Sequence, residues 1–151
     1  MGLDMYLYKK TYIKNWSHMS PEERVEVIIK TDNKYKSHIK PERISEIVEE
    51  VAYWRKFNAL HNWFVENCQE GVDECQESYV EVDKLKELVD ILKQIKEDHS
   101  KAEELLPTQS GFFFGGTEYD EWYFKDVEEA LDILENLVEE RGGEFYYHSS
   151  W

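Results

Sequence analysis

The sequence predicts an α+β domain, about four main helices packed on a small antiparallel sheet, and three observations carry that prediction. Leu3, Met5 and Leu7 alternate with Asp4, Tyr6 and Tyr8 in the period of a half-buried strand. Two later segments, around residues 85–95 and 127–138, repeat apolar residues at helical spacing. The chain ends in Glu144–Trp151, a stretch rich in aromatics that suits a closing strand. With 151 residues and no repeat, low-complexity tract or linker, residues 1–151 read as a single domain able to build a core.

The elements follow in order. Ser20-Pro21-Glu22-Glu23 has the layout of a capping box with Pro at the first helical position, and predicts a short helix from Pro21 to about Lys30. Thr31–Lys40 is polar and basic without a period. Lys40-Pro41-Glu42 restarts a helix, the longest, expected to reach about Asn67. Val80 and Val82 suggest a short strand. Leu85, Leu88, Val89, Leu92 and Ile95 define an amphipathic helix over 83–98 with Asp83 as a candidate N-cap. Pro107 ends any continuation, and Phe112-Phe113-Phe114 reads as a strand or extended loop before Gly115-Gly116. Val127, Ala130, Leu131, Leu134, Leu137 and Val138 form the stripe of a helix over 124–141, closed by Gly142-Gly143.

Composition excludes several functions. The formal charge is −15, from 33 acidic and 18 basic side chains, the opposite of a nucleic-acid-binding footprint, so direct nucleic-acid binding is not expected. The charge is segregated: residues 1–43 carry net +3 and residues 44–151 net −18. No apolar run reaches the length of a membrane span and the N-terminus lacks a signal-peptide layout, so a soluble, cytoplasmic protein without a membrane partner is expected. Cys68 and Cys75 match neither a redox pair nor a zinc knuckle and read as reduced, partly buried thiols. The five histidines have no zinc-enzyme spacing, so neither a metal nor a cofactor is expected, and no nucleophile elbow is present.

The informative pattern lies where polar residues follow an apolar stripe. Ile44, Ile47, Val48 and Val51 lead, at helical spacing, into Arg55, Asn58 and Asn62, with His61 at the flank. Arg55, Asn58 and His61 are then expected to point into one volume. Inward-turned polar groups need partners, supplied by protein or by a ligand. An Arg fork suits phosphate or carboxylate, Asn an amide or base edge, and His a hydrogen bond. The second candidate is the loop Thr108-Gln109-Ser110-Gly111-Phe112-Phe113-Phe114-Gly115-Gly116-Thr117, whose hydroxyls, amide and glycines surround aromatics able to stack. It is neither a Walker loop nor a dinucleotide fingerprint. The ordinary alternatives are an Arg55 ion pair with Asn58 and His61 satisfying backbone, and a plain aromatic strand between turns.

Gly2-Leu3-Asp4-Met5-Tyr6-Leu7, Tyr53-Trp54-Arg55-Lys56 with Asn58, His61, Trp63 and Phe64, and Leu106-Pro107-Thr108-Gln109-Ser110-Gly111-Phe112-Phe113-Phe114-Gly115 resemble the motifs of a family of small bacteriophage and prophage proteins of unassigned activity. The resemblance covers nearly the whole chain. It implies a phage setting, hence a host cytoplasm, and carries over no catalytic residue. Small phage proteins often counter host defence by sequestering a nucleotide signal or by blocking a host protein.

The leading expectation is therefore a binding protein without catalysis, in which Arg55, Asn58, His61, Thr108, Gln109, Ser110 and Thr117 meet a nucleotide-like ligand and Trp54, Phe112 or Phe114 stack on it. The alternatives are an acidic inhibitor that covers a basic surface of a host protein with helices 83–98 and 124–141, and a small nucleotide hydrolase using Asp120 or Glu121 with His61. With 22 aromatic residues, a self-associating surface and a homo-oligomer are also open.

Overall fold

Strand β1 (Asp4–Tyr12) lies inside a four-stranded antiparallel sheet of order β2-β1-β4-β3, in a computed structural model that describes residues 2–111 and 114–151. Its neighbours are β2 (Glu46–Arg55) and β4 (Glu144–Ser150), and β3 (Ser78–Val80) forms the far edge beside β4. The alternation of β1 sorts its side chains: Leu3, Met5 and Leu7 are fully buried, joined on the inner face by Ala52, Trp54, Val80, Phe145 and Tyr147. Lys9 continues that face and is buried only because Glu140 accepts from its ammonium at 2.8 Å. The outer face is aromatic, with Tyr6 in contact with Tyr8, Tyr53 and His148, and Tyr79 in contact with Tyr146.

Four helices, α1 (Asn58–Cys68), α2 (Val82–Glu97), α3 (Ala102–Leu105) and α4 (Glu121–Leu137), complete the α+β fold and cover the inner face. The stripes read from the sequence are the buried ones: Leu85, Leu88, Val89, Leu92 and Ile95 on α2, and Val127, Ala130, Leu131, Leu134 and Leu137 on α4. At about 2 kcal/mol for each fully buried Leu or Ile, the α2 stripe outweighs an N-cap worth about 1 kcal/mol. This explains why α2 forms although its N-cap, Glu81, makes no side-chain cap bond; Asp83, expected to be the cap, sits inside the first turn, where its charge favours the helix dipole. The C-terminal strand is present as expected, while Val82 belongs to α2 and not to a strand. No helix among the described residues is long and apolar enough to cross a membrane.

Two expected helices are corrected. Pro21–Glu23 is a single 3-10 turn. The reciprocal cap forms, with the Ser20 amide donating to the Glu23 carboxylate at 2.8 Å, but the chain then enters the β-branched run Val25–Ile29 and leaves the helix. Asn15 holds that run extended by exchanging two 2.9 Å bonds with the Val25 backbone. The long helix expected from Pro41 to Asn67 is instead a 3-10 turn (Pro41–Arg43), strand β2 and helix α1. β2 escaped detection because of a bulge: Leu7 pairs with Ala52 but Tyr8 with Glu50, so the extra residue Val51 shifts the strand's phase. Before the shift Ile47 and Val48 are exposed; after it Ala52 and Trp54 face the core. A shifted period 2 leaves apolar residues at 44, 47, 48 and 51, which imitates a helix.

Candidate functional site

The chain passes from β2 to α1 through two residues, and this junction builds one wall of a cleft. Lys56 makes the turn with φ 55°, in the left-handed region that costs a non-glycine residue about 1 kcal/mol, and its amide donates to the Leu3 carbonyl at 2.8 Å. Two glycines give it room. A Cβ on Gly2 would stand 3.0 Å from Lys56 Cε and 3.2 Å from an Arg55 guanidinium nitrogen, and one on Gly115, at φ 89°, would stand 3.2 Å from both Cβ and the carbonyl oxygen of Lys56. Arg55 and Lys56 are exposed, and neither enters an ion pair among the described residues.

Helix α1 begins without a side-chain cap, since Phe57 stands at its N-cap position. Its first intrahelical bond runs from the His61 amide to the Phe57 carbonyl at 3.0 Å, which leaves the amides of residues 58–60 without intrahelical partners. The partial positive charge of that terminus adds to Arg55 and Lys56.

Asn58 joins α1 to the glycine-rich loop. Its Nδ2 donates to the Gly116 carbonyl at 2.7 Å and to the Phe114 carbonyl at 3.1 Å, while Oδ1 accepts from the Gln109 amide at 2.9 Å. Thr108 closes the loop on itself: its hydroxyl donates to the Thr117 carbonyl at 2.9 Å and its amide to the Tyr119 hydroxyl at 3.1 Å.

The cleft between this loop, the β2–α1 junction and the start of α4 has a volume of about 270 Å³. Arg55, Lys56, Asn58 and Ala59 line it from the β2–α1 junction, Thr108, Gly116 and Glu118 from the loop, and Asp120, Trp122, Tyr123 and Asp126 from the start of α4. That volume sits just below the roughly 300 Å³ at which ordinary ligand pockets begin, which suits one nucleotide or less. The acids on α4 differ. Asp120 caps α4, accepting from the Trp122 and Tyr123 amides at 3.1 Å each. Asp126 accepts no hydrogen bond among the described residues, and burial pushes its carboxyl up to about 6, with neighbouring Glu129 acting in the same direction. The Tyr123 hydroxyl donates to the Leu106 carbonyl at 2.7 Å, and burial raises its pKa. A larger hollow, about 630 Å³, lies at the other end of the sheet, but Lys10 on its wall is already paired with Glu77.

The expected convergence of Arg55, Asn58 and His61 is corrected. His61 is buried and does not line the cleft; its Nδ1 lies 2.7 Å from the Tyr147 hydroxyl and its Nε2 2.9 Å from Asp73. Burial holds the Tyr147 phenol well above its ordinary pKa, so it donates to Nδ1 while the Nε2 proton goes to the carboxylate. Trp151 donates to the second oxygen of Asp73 at 3.0 Å. This network ties the C-terminal strand to α1, and both ring nitrogens are occupied. The Asp120–His61 pairing considered for a hydrolase is not assembled.

Of the other expected residues, Trp54 is buried on the inner face of the sheet, with its indole nitrogen unpartnered among the described residues, and offers no stacking surface. Phe114 is half-buried and packs edge-on against His61 at 5.1 Å instead of facing the cleft. Gln109, Ser110 and Thr117 are exposed on the loop, and only the backbone of Gln109 and Thr117 is engaged. Phe112 lies outside the described residues, as does the 112–113 part of the expected strand. Trp122 and Asp126 were missed. Four apart on α4, they share one helix face, a spacing visible in the sequence, but nothing there shows that the face opens into a cleft.

Cys68 and Cys75 are unpaired thiols, and burial pushes Cys68 up to about 11, well away from a reactive thiolate. No group of three potential metal ligands occurs among the described residues. No protein-family model matches the chain, and neither a curated protein nor a solved structure is significantly similar to it.

Proposed function

We propose that the protein binds a small phosphorylated, nucleotide-like molecule in the cleft between the β2–α1 junction and α4, without transforming it. The observation that carries this reading is the cation pair beside an uncapped helix terminus: Arg55 and Lys56 precede the first α1 amides, which have no intrahelical or side-chain cap partner among the described residues. Backbone amides with a positive terminus and a guanidinium fork form a ready anion site. Arg55 and Lys56, which enter no ion pair among the described residues, supply the positive charge of a cleft that also carries Glu118, Asp120 and Asp126. Asn58 acts as a clamp and not as a ligand: it fixes the loop that forms the rim. In the phage setting that the sequence resemblance implies, holding such a molecule amounts to sequestering a signal.

Native mass spectrometry of the protein with a panel of nucleoside mono- and diphosphates tests the proposal. An adduct that is released unaltered on denaturation and is lost in Arg55→Ala supports it. A chemically altered ligand points to hydrolysis, and no adduct with any nucleotide removes the proposal.

A second reading has its own observation. The exposed side of α4 and the turn after it carry Glu128, Glu129, Asp132, Glu135 and Glu139, countered only in part by ion pairs from Lys93 and Lys125. Such a face suits an inhibitor of a basic host surface, and that complex would weaken steeply with salt, since exposed charges are screened over about 10 Å at 0.1 M.

A further inference from the structure

We infer that the α4 residues of the same cleft read the base, and that the nucleotide they select carries guanine, stacked on Trp122 and hydrogen-bonded to the Asp126 carboxylate. The inference rests on the proposed anion site. Trp122 lines the cleft and is 64% exposed, with the Lys125 ammonium 5.8 Å from its ring centroid, so its indole is open to a planar base. Asp126 follows it by one helical turn, so the carboxylate lies about 6 Å further along the same face, in reach of the edge of a base stacked on the indole.

The chemistry of that carboxylate narrows the base. Ionised, it only accepts, and its two oxygens match two adjacent donors. Guanine presents N1–H and the 2-amino group side by side. Adenine and cytosine place a donor beside an acceptor on the corresponding edge, and uracil places its N–H between two carbonyls, so none of them offers the pair. Asp120, the neighbouring acid, is engaged in capping α4, whereas Asp126 has no partner among the described residues. Its carboxyl is shifted by burial and by Glu129, Lys125 and Asp120, all on or beside α4. The cleft thus combines cations from the β2–α1 junction with an acceptor on α4 that has no partner among the described residues.

Calorimetric titration of the full chain with GMP, IMP, AMP, 2′,3′-dideoxy-GMP and inorganic phosphate tests this. GMP is expected to bind about tenfold more tightly than IMP, which lacks the 2-amino group, and than AMP, with dideoxy-GMP close to GMP. Asp126→Asn should erase the GMP preference while phosphate affinity stays, and its circular dichroism reports that the fold is kept. Equal affinities for GMP and IMP, a preference retained in Asp126→Asn, or a loss confined to dideoxy-GMP, which would put the ribose on the carboxylate, each overturn the inference with the anion site intact. Absence of binding by phosphate and every nucleotide instead overturns the underlying reading.

Discussion

Replacing Asn58 by alanine removes three hydrogen bonds at once: to the Gly116 carbonyl (2.7 Å), to the Phe114 carbonyl (3.1 Å) and from the Gln109 amide (2.9 Å). At about 1 kcal/mol net each, the sum is about 3 kcal/mol. Gly116 and Gln109 are exposed, so water replaces part of what is lost; Phe114 is half-buried and keeps an unsatisfied carbonyl. The expected destabilisation is therefore about 2 kcal/mol, or roughly 6 °C in melting temperature for a domain of this size. Asn58→Asp should be worse: it keeps the acceptor for Gln109 but sets a carboxylate against two carbonyl oxygens. Urea denaturation gives the energies, and amide hydrogen exchange at Gln109 reports the loop itself. An Asn58→Ala variant within 0.5 kcal/mol of the wild type, with Gln109 still protected, would refute the account of Asn58 as the clamp that shapes the cleft.

Other expectations follow from the same geometry. Because the Asp126 carboxyl is pushed up to about 6 in the folded chain, from an ordinary value of 3.8, its charge opposes folding as pH rises through that window. Asp126→Asn should be more stable by about 1 kcal/mol at pH 7.5, after discounting for half-exposure, and no more stable than wild type at pH 3.5. Tyr147→Phe takes the donor from buried His61 Nδ1 and should cost about 2 kcal/mol in urea denaturation. Gly115→Ala puts a Cβ against the Lys56 carbonyl at a positive φ, and thermal melts should show a loss of about 2 kcal/mol.

What could be read from the sequence divides along physical lines. β1, α2 and α4 repeat their apolar residues at periods that name both the element and its buried face, while β4 was legible only from its aromatic content. β2 was hidden because the bulge at Val51 breaks its phase, and the Pro21 helix failed because a correct cap precedes a run with no face to bury. The site was legible in part. Arg55 and Thr108 do line one cleft, and Asn58 does meet the loop, although as its clamp. His61 deceived because its partners, Asp73 and Tyr147, are brought to it only by the fold, 12 and 86 residues away. Trp122 and Asp126 gain their meaning from a wall that β2 and α1 supply.

The most direct test of the anion site is an NMR titration of the ¹⁵N-labelled protein with inorganic phosphate. Saturable shifts should appear at the amides of Asn58, Ala59 and Leu60 and disappear in Arg55→Ala, whose spectrum otherwise remains that of the folded protein. Unmoved amides at millimolar phosphate, or shifts that persist without Arg55, would contradict the account.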